Sequence, residues 1–215
     1  MRHGAPIFLA LIFAALLNGL AAACKGDKVL FEDDFQERDA AWAITPGELD
    51  TGAVAVGQGR MMLRPPAEKG LSIINMAFRL PTSIDICVTV RFVETDDLAD
   101  VSAGIVFWAD GYAENSLFQV RGNGTFWVSR WADRAWQSIT QTATTPAFKP
   151  GLGQDNRLRL RANGQTVTLF VNDMQVARYR APAPDKNVQF GVRGGSFGKN
   201  ANTVEFRDFK VTNAP

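Results

Sequence analysis

The stretch GTFWVSRW (residues 124–131) alternates as a β-strand would. One face would carry Phe126, Val128 and Arg130, the other Thr125, Trp127, Ser129 and Trp131. Residues 103–108 set Ile105 and Phe107 against Gly104, Val106 and Trp108. Residues 117–121 set Phe118 and Val120 against Leu117, Gln119 and Arg121. An unpaired arginine is costly to bury, so Ile105, Phe107, Phe118, Val120, Phe126 and Val128 should face the core. The opposite face then carries Trp108, Gln119, Arg121, Trp127, Ser129 and Trp131, one patch if the three strands are hairpin neighbours. Such a patch suits a sugar. Tryptophan rings stack on the apolar face of a pyranose, while Gln and Arg bond its hydroxyls or an acidic group. Trp127 and Trp131 would stack, Trp108 would close one end, and Gln119 and Arg121 would hydrogen-bond. Two other readings compete: long loops cover these tryptophans and extend the core, or the patch meets a protein partner.

Hydrolytic chemistry has fewer candidates. A glycosidase needs two carboxylates flanking the scissile bond. Asp110 and Glu114, in the loop after Trp108, lie nearest the patch and are the acid/base candidates. The acidic run around Asp96, Asp97 and Asp100 lies between two strands and reads as a solvated loop; calcium is the ion its oxygen-rich side chains would suit. Asp33, Asp34 and Asp208 read as residues that bond the backbone or exposed bases. The single histidine is His3. That argues against a Ser-His-Asp or Cys-His arrangement and against a zinc site in the rest of the chain.

These residues need elements to hold them. Residues 1–23 combine a basic start, the apolar run IFLALIFAALL (residues 7–17) and Ala21-Ala22-Ala23, which reads as a secretory signal peptide rather than a membrane span. Residues 24–215 should form one domain. The first 23 residues hold one of 23 basic residues and none of 22 acidic ones, leaving 22 of each. A neutral chain argues against nucleic acid and against electrostatic adhesion to a membrane. Two cysteines, Cys24 and Cys87, favour a disulfide in an oxidising compartment. The alternative is a lipoprotein acylated at Cys24, although Ala21-Ala22-Ala23-Cys24 departs from the usual lipobox.

Beyond the leader, period-two alternation recurs between turn signals, and no helix-length segment holds a 3.6-residue period. Strands are predicted at residues 29–35, 52–56, 60–64, 73–80, 86–93, 103–108, 116–121, 125–131, 136–140, 157–162, 166–171, 175–179, 188–193 and 204–211. Asn163-Gly164 suits a tight hairpin. Asn123-Gly124-Thr125 fits a glycosylation sequon but reads as a hairpin tip. The Gly/Asn-rich run at residues 194–202 lacks the ending of a phosphate loop and reads as a surface loop. Trp42 and Trp136 read as packing residues, with Trp136 able to rim the site. The fold class is all-β: a two-sheet antiparallel sandwich of the jelly-roll kind.

FEDDF (residues 31–35) and EFRDFKV (residues 205–211) stand at the ends, with AGIVFWAD, SLFQVRGNGTFWVSRW and NRLRLRANGQTVTLFVND between them. In these the chain resembles the concanavalin A-like lectin/glucanase superfamily in its laminin G-like form. It is similar in particular to bacterial secreted domains grouped with 3-keto-disaccharide hydrolases. The resemblance covers roughly residues 31–211. It implies that the first and last strands pair and that ligands lie on the concave sheet face. It also implies an enzymatic alternative, a carboxylate-dependent glycoside hydrolase using Asp110 or Glu114. The glucanases of that superfamily place acids at alternating positions of a central strand, and this chain has no such strand. The expectation is a secreted or periplasmic, non-catalytic domain that binds an oligosaccharide or polysaccharide.

Overall fold

The alternation becomes fifteen strands and one short helix in the computed structural model, which describes residues 24–215. The leader expected over residues 1–23 lies outside the described residues. One antiparallel sheet runs β13 (Met174–Arg180), β12 (Thr166–Val171), β11 (Asp155–Asn163), β5 (Ile84–Glu94), β15 (Thr203–Asn213), β3 (Arg60–Leu63) and β2 (Val54–Gly57). β1 (Val29–Asp33) also pairs with β15, so the first and last strands meet, with Phe31 opposite Val211. The second sheet runs β10 (Ala143–Thr144), β8 (Thr125–Ala132), β7 (Glu114–Arg121), β6 (Val101–Asp110), β14 (Val188–Ser196) and β4 (Gly70–Leu80), with β9 (Ala135–Ser138) also on β8. The helix α1 (Pro46–Asp50) was not foreseen. Thr45 and Glu48 close a capping box on it, and Pro46 opens it.

Alternate residues of the two sheets meet in one core. Ile84, Ile86, Val88, Val90 and Phe92 of β5 join Leu158 and Leu160 of β11 and Phe206 of β15. Ile105, Phe107, Phe118, Val120, Phe126 and Val128 are buried in the same cluster from the other sheet, so these strands turn inward the face that their arginines predict.

Strict alternation fails at one residue that matters for the site. The pairing of β6 with both β7 and β14 shifts near its end, and Trp108 takes a left-handed φ of 49°. This bulge turns Trp108 into the main core cluster, 7% exposed. Its ring packs on Phe107 at 5.4 Å and its indole N–H donates to the Thr82 carbonyl at 2.9 Å. Trp108 therefore does not join the tryptophan patch. β14 is also longer than expected. Gly194 and Gly195 continue its pairing with β4 and β6, so the glycine-rich run begins as strand.

Cys24 and Cys87 are joined by a disulfide, with Cα atoms 5.6 Å apart. The Cys24 sulfur is thereby occupied, which leaves no thiol to acylate in this form. No helix among the described residues is long and apolar enough to cross a membrane.

Candidate functional site

The outward face of the second sheet is assembled in cross-strand rows. Ser72 of β4, Arg193 of β14, Gly104 of β6, Gln119 of β7 and Trp127 of β8 stand in one row. Ile74, Gly191, Val106, Leu117 and Ser129 stand in the next, and Asn115, Trp131 and Trp136 in the one beyond. Glycine at 104 and 191 keeps the middle of the face low. A Cβ on Gly104 would strike the Phe118 carbonyl, and one on Gly191 the Ile73 carbonyl. Ile74, Val106, Ala109 and Leu117 form a small apolar floor separate from the main core.

The face is concave. Four strand steps separate β9 from β14, roughly 19 Å on a flat sheet, yet the Trp136 ring lies 5.1 Å from the Arg193 guanidinium carbon. Curvature and two long side chains close that span. Trp136 also packs against Trp131, with ring centroids 5.1 Å apart. A second wall comes from residues 41–48, which dock along β4 through Ala43 N–H to Ile74 O and Met76 N–H to Ala41 O, both 2.9 Å. Tyr112, on the β6–β7 turn, stands over the same edge and lines the cleft. The resulting cavity is about 760 Å³, lined by Ser72, Tyr112, Asn115, Trp131, Trp136 and Arg193 among others.

Its electrostatics are unusual for a protein with so many ion pairs. Arg193 donates to Ser72 Oγ at 2.7 Å and stacks on Trp136. Among the described residues no carboxylate lies within 4.0 Å of it, and burial alone pulls its guanidinium below the ordinary value. Asn115 is buried at 7% exposure, and its Oδ1 accepts no hydrogen bond. Tyr112 is pushed upward by burial.

The residues expected from sequence are thus distributed over two ends of one face. Trp131 lines the cleft with Trp136. Trp127 sits at the other end, with Arg121 5.2 Å over its ring and 4.6 Å over that of Phe197. Gln119 and Ser129 lie between them, buried; Gln119 spends its amide N–H on Ser102 Oγ at 3.1 Å. Arg193, Asn115, Ser72 and Tyr112 were missed. The alternation that points Arg121 outward also points Arg193 outward, since Phe190 and Val192 are core residues.

Asp110 and Glu114 face each other across the β6–β7 turn but line a different cavity, with Ile139, Tyr179 and Lys186. Lys186 at 2.6 Å and Arg79 at 3.3 Å hold the Asp110 carboxyl below its ordinary value. Glu114 pairs with Arg130 at 3.0 Å. A general acid needs its pKa raised, and Asp110 is displaced the other way.

In the acidic loop, Asp96 accepts from the Asn200 amide and Asp97 Oδ1 from Ala99 N–H. Asp96, Asp97 and Asp100 line one cavity, but their three carboxylates do not gather within 4.8 Å of one another. The ligand-type atoms that do gather within 4.8 Å, among the described residues, belong to Cys24, Asp85 and Cys87. There the sulfurs are bonded to each other and Asp85 holds Arg159. Asp33 and Asp34 cap local backbone N–H groups, and Asp33 also accepts from the Trp42 indole at 2.7 Å.

No protein-family model and no curated protein matches this sequence. Solved structures do match in shape. The carbohydrate-binding module CBM66 from Bacillus subtilis superposes with a TM-score of 0.56 at 15% identity, over 81% of this chain and 92% of that one. A Bacillus licheniformis β-glucanase gives 0.62 at 6% identity, over 85% and 97%. The Emp46p carbohydrate recognition domain, in a potassium-bound form, gives 0.58 at 9% identity, over 86% and 100%. With the sheet order and the pairing of first and last strands, these likenesses establish that the chain has the concanavalin A-like jelly-roll fold of two antiparallel sheets.

Proposed function

We propose that this protein is a secreted or periplasmic carbohydrate-binding sandwich that holds a glycan, without catalysis, in the concave cleft of its second sheet. The observation that carries the reading is the Trp131–Trp136 pair set beside Asn115, Ser72 and Arg193. Ring faces and polar groups converge there as a pyranose needs. Trp131 and Trp136 stack on sugar rings, and Trp127 with Arg121 extends the surface toward the other end of the face. The structural neighbours include a carbohydrate-binding module, a carbohydrate recognition domain and a glucanase, which supports a sugar as the partner. The disulfide is consistent with an oxidising compartment, reached through a leader at residues 1–23. A glycoside hydrolase reading would use Asp110 or Glu114, but both are ion-paired at a cavity that neither Trp131 nor Arg193 lines.

The test is tryptophan fluorescence of the disulfide-bonded protein titrated with neutral and acidic oligosaccharides. One sugar class should give a saturable change. Trp131→Ala and Trp136→Ala should each weaken it about 5–30-fold, the roughly 1–2 kcal/mol of a lost aromatic platform. No saturable response from any sugar refutes the proposal.

A further inference from the structure

We infer that the cleft is built for an acidic glycan, with Arg193 receiving a sugar carboxylate and Asn115 a hydroxyl of the same or the adjoining residue. This rests on the glycan reading above and names its substrate class.

The comparison that carries it lies within the protein. Arg159, on the outer face of the other sheet, is almost fully buried and is matched by Asp85, with N–O distances of 2.6, 2.8 and 3.0 Å. Arg193 is also desolvated, yet its partners among the described residues are one serine hydroxyl and one indole face. A guanidinium taken partly out of water without an anion is costly. Its fork of N–H donors matches the two coplanar oxygens of a carboxylate better than the divergent hydroxyls of a neutral sugar.

Nothing in the cleft already supplies that anion. Glu48 is the acid among its lining residues, and its Oε2 accepts from Thr45 N–H at 2.7 Å and Thr45 Oγ1 at 2.8 Å. It makes no ion pair with Arg193. Asn115 gives the second, independent sign. Its buried Oδ1 has no donor among the described residues; a sugar hydroxyl would supply one, and a carboxylate alone would not. A sugar ring that lies against the Trp131–Trp136 pair and carries both an anionic carboxylate and hydroxyl donors, as a uronic acid residue does, meets both demands. Arg121, on the same face, likewise makes no ion pair among the described residues, and its Nε is buried without a partner. A second acidic residue further along a polyuronate would meet it.

The experiment uses the disulfide-bonded protein and calorimetry with tetrasaccharides of galacturonate, of mannuronate and of hyaluronan. Each is paired with its carboxyl-reduced, neutral counterpart. At least one acidic form should bind, and reduction of its carboxyls should weaken binding at least tenfold. Arg193→Gln should erase the difference between acidic and neutral forms, while Arg193→Lys should retain part of it. The ligand-side comparison needs no variant, so an unstable Arg193 substitution leaves the test intact. Equal binding of acidic and neutral forms would overturn the acidic inference and leave the glycan reading standing. Binding of neither form, here or with neutral sugars, would overturn both.

Discussion

Asp85→Asn should be among the most costly conservative substitutions in this protein. Asp85 is fully buried on the outer face of the first sheet, where residues 24–25 pass over it. Its carboxylate accepts three contacts of 2.6–3.0 Å from Arg159 and one of 3.1 Å from Lys25 N–H. The amide keeps the shape and an acceptor but removes the charge, so Arg159 is left buried beside a neutral group. Two charge centres about 4 Å apart at an effective dielectric of about 20 interact by roughly 4 kcal/mol. Breaking buried pairs costs about 3–5 kcal/mol. We expect a loss of about 3 kcal/mol, which at a urea slope of about 2 kcal/mol per molar moves the unfolding midpoint down by roughly 1.5 M. Tryptophan fluorescence would follow the transition. Asp85→Asn combined with Arg159→Met should recover part of the loss, because no orphan charge remains. The disulfide holds the covering segment in place, since Cys24 is bonded to Cys87 on the same strand as Asp85. In Cys24→Ser/Cys87→Ser protein the cost of Asp85→Asn should therefore shrink toward the roughly 0–1 kcal/mol of a surface pair. A loss below about 1 kcal/mol in the disulfide-bonded protein would refute the reasoning, because it would mean that water already reaches the pair.

Three further outcomes follow from the same structure. Asp110, held by Lys186 and Arg79, and Asp155, held by Arg91 through contacts of 2.7 and 2.8 Å, both have carboxyls below the ordinary 3.8. Depressed folded values mean that the unfolded chain takes up protons first, so their stabilisation is present above about pH 4 and fades as pH falls through the folded values. Carboxyl NMR titration should place both midpoints below 3.8, and Arg91→Gln should move that of Asp155 upward; a midpoint at or above the ordinary value would contradict the assignment. Gly104→Ala should cost about 1–3 kcal/mol in urea unfolding, because its Cβ meets the Phe118 carbonyl, a backbone atom of the neighbouring strand. Gly70→Ala should barely change stability, because the atoms nearest its Cβ are the flexible end of Arg193, but it should weaken uronate binding by displacing the guanidinium. Unchanged affinity in folded Gly70→Ala protein would argue that Arg193 does not contact the ligand.

Much of the fold is legible in the chain because a strand buried on one side records its burial at every second residue. The core faces of β6, β7 and β8 follow from the cost of burying Arg121, and Thr166–Val171 is bounded as the turn residues on either side predict. The short strand β10 is not legible, since two exposed residues carry no period. Trp108 is misplaced by the same rule that succeeds elsewhere. A bulge inserts a residue and reverses the side chain's direction, and nothing in the types around Trp108 announces a positive φ at a tryptophan.

The site divides along the same line. Sequence by itself determined the sandwich, the one pairing open to its two cysteines, and which face of β7 and β8 carries Trp127, Trp131, Gln119 and Arg121; that Cys24 and Cys87 are bonded was decided by the structure. Those are properties of local alternation and of hairpin neighbours, which a strand carries in its own residues. Tertiary structure decided that Trp136 and Arg193, far apart in the chain, meet at 5.1 Å over a curved sheet, and that Asn115 is buried there without a donor. It also decided that Asp110 is neutralised by Lys186, 76 residues away. Sheet order and curvature arise from pairings between strands distant in sequence, so a residue's charge partner, or its lack of one, is fixed only when those strands come together.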